Sequence, residues 1–243
     1  ARIPMSSANP MVEELVQGKP RIVILNKADL ADPKATDRWI SYYQKKNIPV
    51  VPMSVGNSKN KKKLLALIRE TAEPMLAKWR KRGIKSRSVR LMILGIPNVG
   101  KSTLINFLAG TAATRTANTP GHTRGKQWVR LSEGLDLLDT PGVLWPKFDD
   151  QVAALRLAAT GAIAGDVFNA DEVVPELLAS LAETAPWVLQ EKYDIEDVHQ
   201  DPQLLLEAAG RRRGCLLHGG AIDYDRAEMV VLRDFRSGKL GKL

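Results

Sequence analysis

The stretch Gly95-Ile96-Pro97-Asn98-Val99-Gly100-Lys101-Ser102 restricts the fold of this chain more than any other. It fits G-x-x-x-x-G-K-[ST], a loop whose backbone N–H groups cradle phosphates. Residues 89–94 form an apolar run of buried-strand length, and 103–108 read as a helix. Strand, glycine loop and helix in this order are the setting the motif requires. Gly95 and Gly100 let the backbone wrap the phosphates. The N–H groups from Asn98 through Val99 and Gly100 to Thr103, at a helix N-terminus, point at negative charge. Lys101 is expected to reach the β- and γ-phosphates and Ser102 to hold Mg²⁺.

A second anchor lies upstream. Residues 21–25 are rich in β-branched residues and read as a buried parallel strand, followed at once by Asn26-Lys27-Ala28-Asp29. N-K-x-D at the end of a strand is the guanine reader of GTP-binding proteins. The Asp29 carboxylate can accept from guanine N1–H and the exocyclic amine together. Adenine lacks both donors and would leave the carboxylate unpaired, which is costly. Asn26 can contact the acceptor edge of the base, and the Lys27 stem can cover the ring. A further strand over 48–53 ends in Ser54-Val55-Gly56, placed like the small-residue loop that closes over the base. Trp39, Ile40 and Tyr43 recur at helical spacing within 32–46 and are expected in the core. A longer helix over 61–79 turns Leu64, Leu65, Leu67 and Ile68 inward. A short helix is expected over 11–16.

The order of these motifs is permuted. In an ordinary small G protein the phosphate loop comes first and the base reader late. Here the order is base reader, base-closing loop, phosphate loop, Thr123 in Thr119-Pro120-Gly121-His122-Thr123, then Asp139-Thr140-Pro141-Gly142. Termini that lie close together on a domain surface make such a permutation physically permissible. With Asn26–Asp29, Gly95–Ser102, residues 139–146, the opening Ala1-Arg2-Ile3-Pro4-Met5-Ser6-Ser7 and Arg212-Arg213-Gly214-Cys215-Leu216, the whole chain resembles the circularly permuted GTPases of the ribosome biogenesis GTPase A family. The resemblance implies an α/β P-loop GTPase fold with a mostly parallel sheet over 1–147. It also implies binding of GTP and GDP, and a role in assembly of the large (50S) ribosomal subunit in bacteria. Family members carry a preceding segment with a strand ending in Asp and a His held to help hydrolysis. Five strands are expected here (21–26, 48–53, 89–95, 126–131 and 134–139), one short of six. The absent strand belongs beside the phosphate-loop strand, so the chain is expected to be a fragment.

The switch elements follow from the same order. Residues 111–125 read as a mobile loop. Thr123 is the choice for the switch I threonine, holding Mg²⁺ and sensing the γ-phosphate, with Thr119 and Thr116 as competitors. Asp139 is delivered to the metal by the second strand of a hairpin around Ser132-Glu133-Gly134, and the Gly142 N–H contacts the γ-phosphate. Val143 occupies the place where many G proteins carry a water-orienting Gln. The missing help must come from the absent His, a monovalent cation or the partner. In related GTPases an Asn at the position of Asn98 helps to bind K⁺. Slow intrinsic hydrolysis, stimulated by a ribosomal particle, is the expectation. His122 reads as an exposed loop residue.

Beyond Pro146 strand-like runs disappear. Val152, Leu155, Ala159 and Ile163 form a helical stripe, and 173–181, 203–211 and 224–235 supply further helices. This is expected to be a small all-α domain over 148–243. A formal net charge of +9 points to a polyanionic partner. Arg211, Arg212, Arg213, Arg233 and Arg236 are the candidate rRNA-facing residues, although a helix C-terminus also favours arginine through its dipole. The basic run from Lys78 to Arg90 is open between a solvated helix end and a phosphate-backbone contact. A single cysteine excludes an internal disulfide and fits a reducing cytoplasm. No apolar run approaches transmembrane length. The expected partner is a large-subunit precursor, its rRNA and ribosomal proteins, bound by a monomer without membrane contact. The rival readings are a GTPase of RNA modification or membrane traffic and a GTP-dependent RNA-binding scaffold with little hydrolysis.

Overall fold

The computed structural model describes residues 1–8, 12, 16, 18–84, 87–110, 127–132, 134–139, 150–163 and 169–243. The chain divides into two compact units, Ala1–Pro146 and Lys147–Leu243. The short helix expected over 11–16 falls mostly outside the described residues.

In the first unit, β1 (Val23–Leu25) pairs in parallel with β2 (Val50–Pro52), Ile24 opposite Val51. A second sheet has the order β3-β5-β4. There β3 (Val89–Met92) runs parallel to β5 (Leu135–Asp139), and β4 (Gln127–Ser132) runs antiparallel to it. All five expected strands are found: β1 and β2 keep only three residues of their runs, β3 stops at Met92, and β4 and β5 lie within one residue of the expected bounds. Among the described residues they form two sheets rather than one. One lateral edge of β1 and one of β3 have no strand partner there.

Period-two alternation decides which face packs. Leu91, Leu137 and Val129 share one row of the second sheet and face the core, with Leu135 and Val89. Met92 and Trp128 flank Leu138 on the opposite face and are 55% and 52% exposed. Against the packed face lies α3 (Lys101–Ala109), whose Leu104, Ile105 and Leu108 form one buried stripe. The long helix α2 (Ser58–Lys81) adds Leu64, Ile68 and Ala72 to the same core, while Leu65 and Leu67 are only half-buried. The Lys61 ammonium donates to the Phe107 carbonyl at 3.1 Å, satisfying an end carbonyl of α3. Helix α1 (Pro33–Lys45) starts on Asp32, which accepts from Ala35 N–H, with Pro33 in the first turn. Its aromatic residues are not the expected core: only Thr36 is fully buried in α1, and Trp39, Ile40 and Tyr43 are half-buried. The rings pack on one another instead, Trp39 against Tyr42 at 5.3 Å and Tyr42 against Tyr43 at 5.3 Å.

The second unit is helical: α4 (Gln151–Ala159), α5 (Ala170–Thr184), α6 (Pro186–Tyr193), α7 (Pro202–Arg212) and α8 (Tyr224–Arg236). Asp150, Asp201 and Asp223 cap α4, α7 and α8 through their side chains. Helix α6 opens on Pro186, whose fixed φ and missing N–H suit the first helical position. The stripe expected over 152–163 holds in part: Ala159 and Ile163 are buried and Leu155 is half-buried, with Ile163 beyond the helix end. The helix stops at Thr160, and Gly161 takes a φ of 75°; the buried face is Ala154, Leu157 and Ala158 with Ala159. Val152 is 44% exposed. None of the described helices is long and apolar enough to cross a membrane.

Two polar contacts tie this unit together. The Arg236 guanidinium donates to the carbonyls of Ala159 at 2.9 Å and Ala158 at 2.8 Å, closing the end of α4, and burial lowers its pKa. Asp234, 2% exposed, is paired with Arg213 at 3.0 Å. We expect Arg236→Ala to destabilise the chain by about 2 kcal/mol, the scale for charged hydrogen bonds, read by urea unfolding. Glu228 on α8 is buried, and desolvation, with Asp171 and Asp225 adding to it, raises its pKa above 4.5. Its acid form is the one that suits the fold. The associated stability is therefore complete below the ordinary carboxyl value and is lost as pH rises through the raised one. Glu228→Gln should raise the melting temperature by a few degrees at pH 7, and the gain should vanish below pH 4.5.

Candidate functional site

Three loops and the last residue of β5 stand at the C-terminal ends of parallel strands, where α/β sheets place their ligands. Asn26 follows β1, Ser54 follows β2 after Met53, the 95–100 loop follows β3, and Asp139 ends β5. Backbone bonds extend the β1–β2 ladder into the first two loops: Met53 N–H donates to Leu25 O at 2.9 Å and Ala28 N–H to Met53 O at 3.0 Å. Residues 26–29 are thereby held against the start of the Ser54-Val55 loop. Lys27 adopts a left-handed conformation, φ 55° and ψ 39°, and opens a 3₁₀ turn over Ala28–Leu30. A non-glycine residue there is sparsely tolerated and is held by its surroundings. The turn leaves Asp29, its middle residue, exposed.

The two motifs meet. Asn26 Nδ2 donates to Val99 O at 2.8 Å, across 73 residues of sequence, and Lys27 Nζ lies 3.3 Å from Asn98 O. Asn26, Lys27, Ala28 and Asp29 thus stand beside the phosphate-type loop. In that loop Asn98 is left-handed with φ 56°, and Ile96 is fully buried as its anchor. Gly100 caps α3 with φ 93°. A Cβ on Gly100 would sit 2.6 Å from Asn26 Nδ2, whereas one on Gly95 would meet only ordinary contacts from 3.4 Å outward. Of the two motif glycines, Gly100 is the one that the junction of the loops demands. Lys101 Nζ folds back onto the carbonyls of Gly95 at 3.0 Å and Ile96 at 2.8 Å. Ser102 follows, half-buried, and Thr103 is exposed.

This junction suits an anionic ligand with a base attached. The first N–H groups of α3 have no partner within the helix, and its N-terminus carries partial positive charge. Asn26 Oδ1 is buried and accepts no hydrogen bond from the described residues, so one acceptor faces the loops unsatisfied. A ligand donor would relieve a buried polar atom that otherwise costs about 1–3 kcal/mol. The hydroxyl of Ser102 and the carboxylate type of Asp139 are hard oxygen donors of the kind Mg²⁺ takes. Asp139 is placed by its backbone, in register one step beyond the Met92–Leu138 pair. Thr123 and Gly142 lie outside the described residues, as do Val143, His122 and the whole stretch 111–126.

The arginine candidates are in the second unit. Arg211, Arg212 and Arg233 are exposed, while Arg213 and Arg236 are engaged by Asp234 and by the end of α4. The basic run has partners too: Arg80 pairs with Glu73, Arg87 lies over the Trp79 ring at 4.9 Å and Arg90 over Trp128 at 5.3 Å. What the sequence could not show is that Gly100 and Asn26 are sterically interlocked. The positive φ forced at Gly100 by the motif was the available hint.

Comparison with known proteins follows the same lines. A family described as 50S ribosome-binding GTPase matches residues 90–199. The chain is 44% identical over 243 residues to the ribosome biogenesis GTPase A of Bacillus licheniformis, covering 100% of this chain and 86% of that one. A GDP-bound YlqF structure superposes with a TM-score of 0.67 at 26% identity, covering 99% of this chain and 88% of that one. A GNP-bound YlqF from T. maritima gives 0.66 at 27% identity, with 99% and 86% covered.

Gly100→Ala should strain the left-handed turn and displace Asn26. We expect GDP affinity to fall at least about 100-fold with the secondary structure retained, as read by calorimetry and circular dichroism. Asn26→Ala, which removes the bridge to Val99 and the acceptor beside it while leaving Gly100 in place, should cost about tenfold in the same assay.

Proposed function

The chain belongs to the ribosome biogenesis GTPase A family, and we propose from this that it is a GTP-hydrolysing assembly factor for the large (50S) ribosomal subunit, bound to pre-50S particles in a nucleotide-dependent way. The observation that carries the reading is the Asn26–Val99 bridge, which puts a guanine-type reader and a phosphate-type loop at one place. In this reading Asn26, Lys27, Ala28 and Asp29 take the base, with Ser54 and Val55 covering it. The N–H groups of Asn98 through Thr103 take the phosphates. Lys101 exchanges its two loop carbonyls for phosphate oxygens, a replacement of neutral acceptors by charged ones.

Ser102, Thr123 and Asp139 are the residues assigned to Mg²⁺, which when bound offsets the charge of the β- and γ-phosphates. Thr123 and Gly142 would report the γ-phosphate. Asn98 is the residue assigned to K⁺. Hydrolysis by such a site rests on positioning and charge stabilisation rather than covalent chemistry. Valine at 143 offers attacking water no hydrogen bond. The slow step therefore waits for a group brought by the particle, and GTP loss marks release from it. The arginines of the second unit supply the rRNA contact, and the nucleotide-binding unit corresponds to 1–147.

Single-turnover hydrolysis of GTP tests this. The rate should rise at least tenfold when large ribosomal subunits are added, and no transfer of phosphate to another acceptor should be seen. Equal rates with and without particles would oppose the assembly-factor cycle, and no hydrolysis in either case would favour a binding scaffold. Replacing KCl by NaCl should slow the reaction severalfold if Asn98 serves a K⁺ site, and Asn98→Ala should remove that difference.

A further inference from the structure

The second unit carries a groove of about 740 Å³ walled by Arg213, Arg226, Arg233 and Arg236, with Met229 and Val230 between them. Among the described residues no acidic side chain lines it. On α8, Met229, Val230 and Arg233 lie three, four and seven residues after Arg226, which is a single helix face.

The four arginines divide into two kinds. Arg213 is fixed by the buried Asp234, and Arg236 by the two carbonyls that end α4. Their guanidinium groups are already ordered, so they shape the walls without an ordering cost on binding. Arg226 and Arg233 are exposed, and among the described residues no carboxylate pairs with either. Met229 between them is 62% exposed. An exposed methionine flanked by uncompensated arginines is a poor arrangement for stability and a good one for a ligand with an anionic edge and an apolar face.

We propose that this groove is a track for a single RNA strand, with Arg226 and Arg233 on separate phosphates of its backbone and a base or ribose against Met229 and Val230. The proposal rests on the large-subunit reading above and names the part of the second unit that meets RNA. Seven residues of helix separate the two arginines by about 10 Å, too far for one phosphate and suited to phosphates of one strand. An acidic peptide would satisfy the charges but leave the apolar floor without a flat partner. The chain's net charge of +9 also favours a long polyanion.

The test uses the full chain and a fluorescein-labelled, unstructured 16-nucleotide RNA, with affinity read by anisotropy between 50 and 200 mM KCl. Neutralising two phosphate contacts with R226Q/R233Q should reduce the slope of log affinity against log salt by about 1.4, at about 0.7 per single-stranded phosphate. Met229→Ala should weaken binding severalfold with the slope unchanged. R211Q/R212Q, outside the groove, should change the slope less than R226Q/R233Q does. Circular dichroism and GDP affinity should be those of the parent in every variant. If the parent binds RNA and R226Q/R233Q leaves the slope intact while R211Q/R212Q lowers it, the groove is wrong and the RNA reading stands elsewhere. If the parent fails to bind at 50 mM KCl, the RNA reading itself fails. If a poly-glutamate peptide displaces the RNA at equal charge concentration, the groove is a peptide site and the proposal is overturned.

Discussion

One hydrogen bond organises the functional half of this molecule: the Asn26 amide reaching the Val99 carbonyl. It joins a loop at the end of β1 to a loop at the end of β3, and these strands belong to different sheets among the described residues. Such a bond contributes only about 0.5–1.5 kcal/mol net. The junction is therefore specified by sterics as well, since Gly100 leaves no room for a Cβ beside Asn26. A nucleotide that contacts both loops adds the energy the protein alone lacks. At a hundred times its Kd it would stabilise the joined state by about 2.7 kcal/mol. Ligand binding and the geometry of the site are in this sense the same event.

Much of this was legible in the sequence. A glycine loop between a strand and a helix has few alternatives, and the apolar runs at 21–25 and 89–94 both form strands, although Met92 and Leu94 of the second are exposed. The permuted order of the motifs also followed from the residues. Packing direction was less legible. Trp39, Ile40 and Tyr43 have helical spacing, yet the aromatic rings of α1 satisfy one another on a half-buried face. Periodicity reports which residues share a face, not what covers it. Val152 stands in the first turn of α4, outside the face that Ala154, Leu157 and Ala158 bury.

Charge was the least legible property. Five arginines near the C-terminus look alike in a sequence, but two of them are structural. Arg236 closes α4 and Arg213 neutralises a buried carboxylate. A buried Asp234 without its partner would be strongly destabilising, so part of the basic surplus is spent on folding. What is left over, on the exposed face of α8 and at the end of α7, is the share available to a polyanion. The same division runs through the first unit, where Lys61 serves the end of α3 and Arg87 and Arg90 lie on tryptophan rings.

The central claim is that Asp29 and Lys101 act on a single guanine nucleotide. Competition against a fluorescent GDP analogue, run with GTP and ATP on the parent chain and on Asp29→Ala, tests it most directly. The account predicts that GTP displaces the probe from the parent at least 100-fold more effectively than ATP does. It also predicts that Asp29→Ala loses most of this preference, because the carboxylate that reads N1–H and the exocyclic amine is gone. Equal displacement by ATP from the parent, or an undiminished preference in the variant, would contradict it.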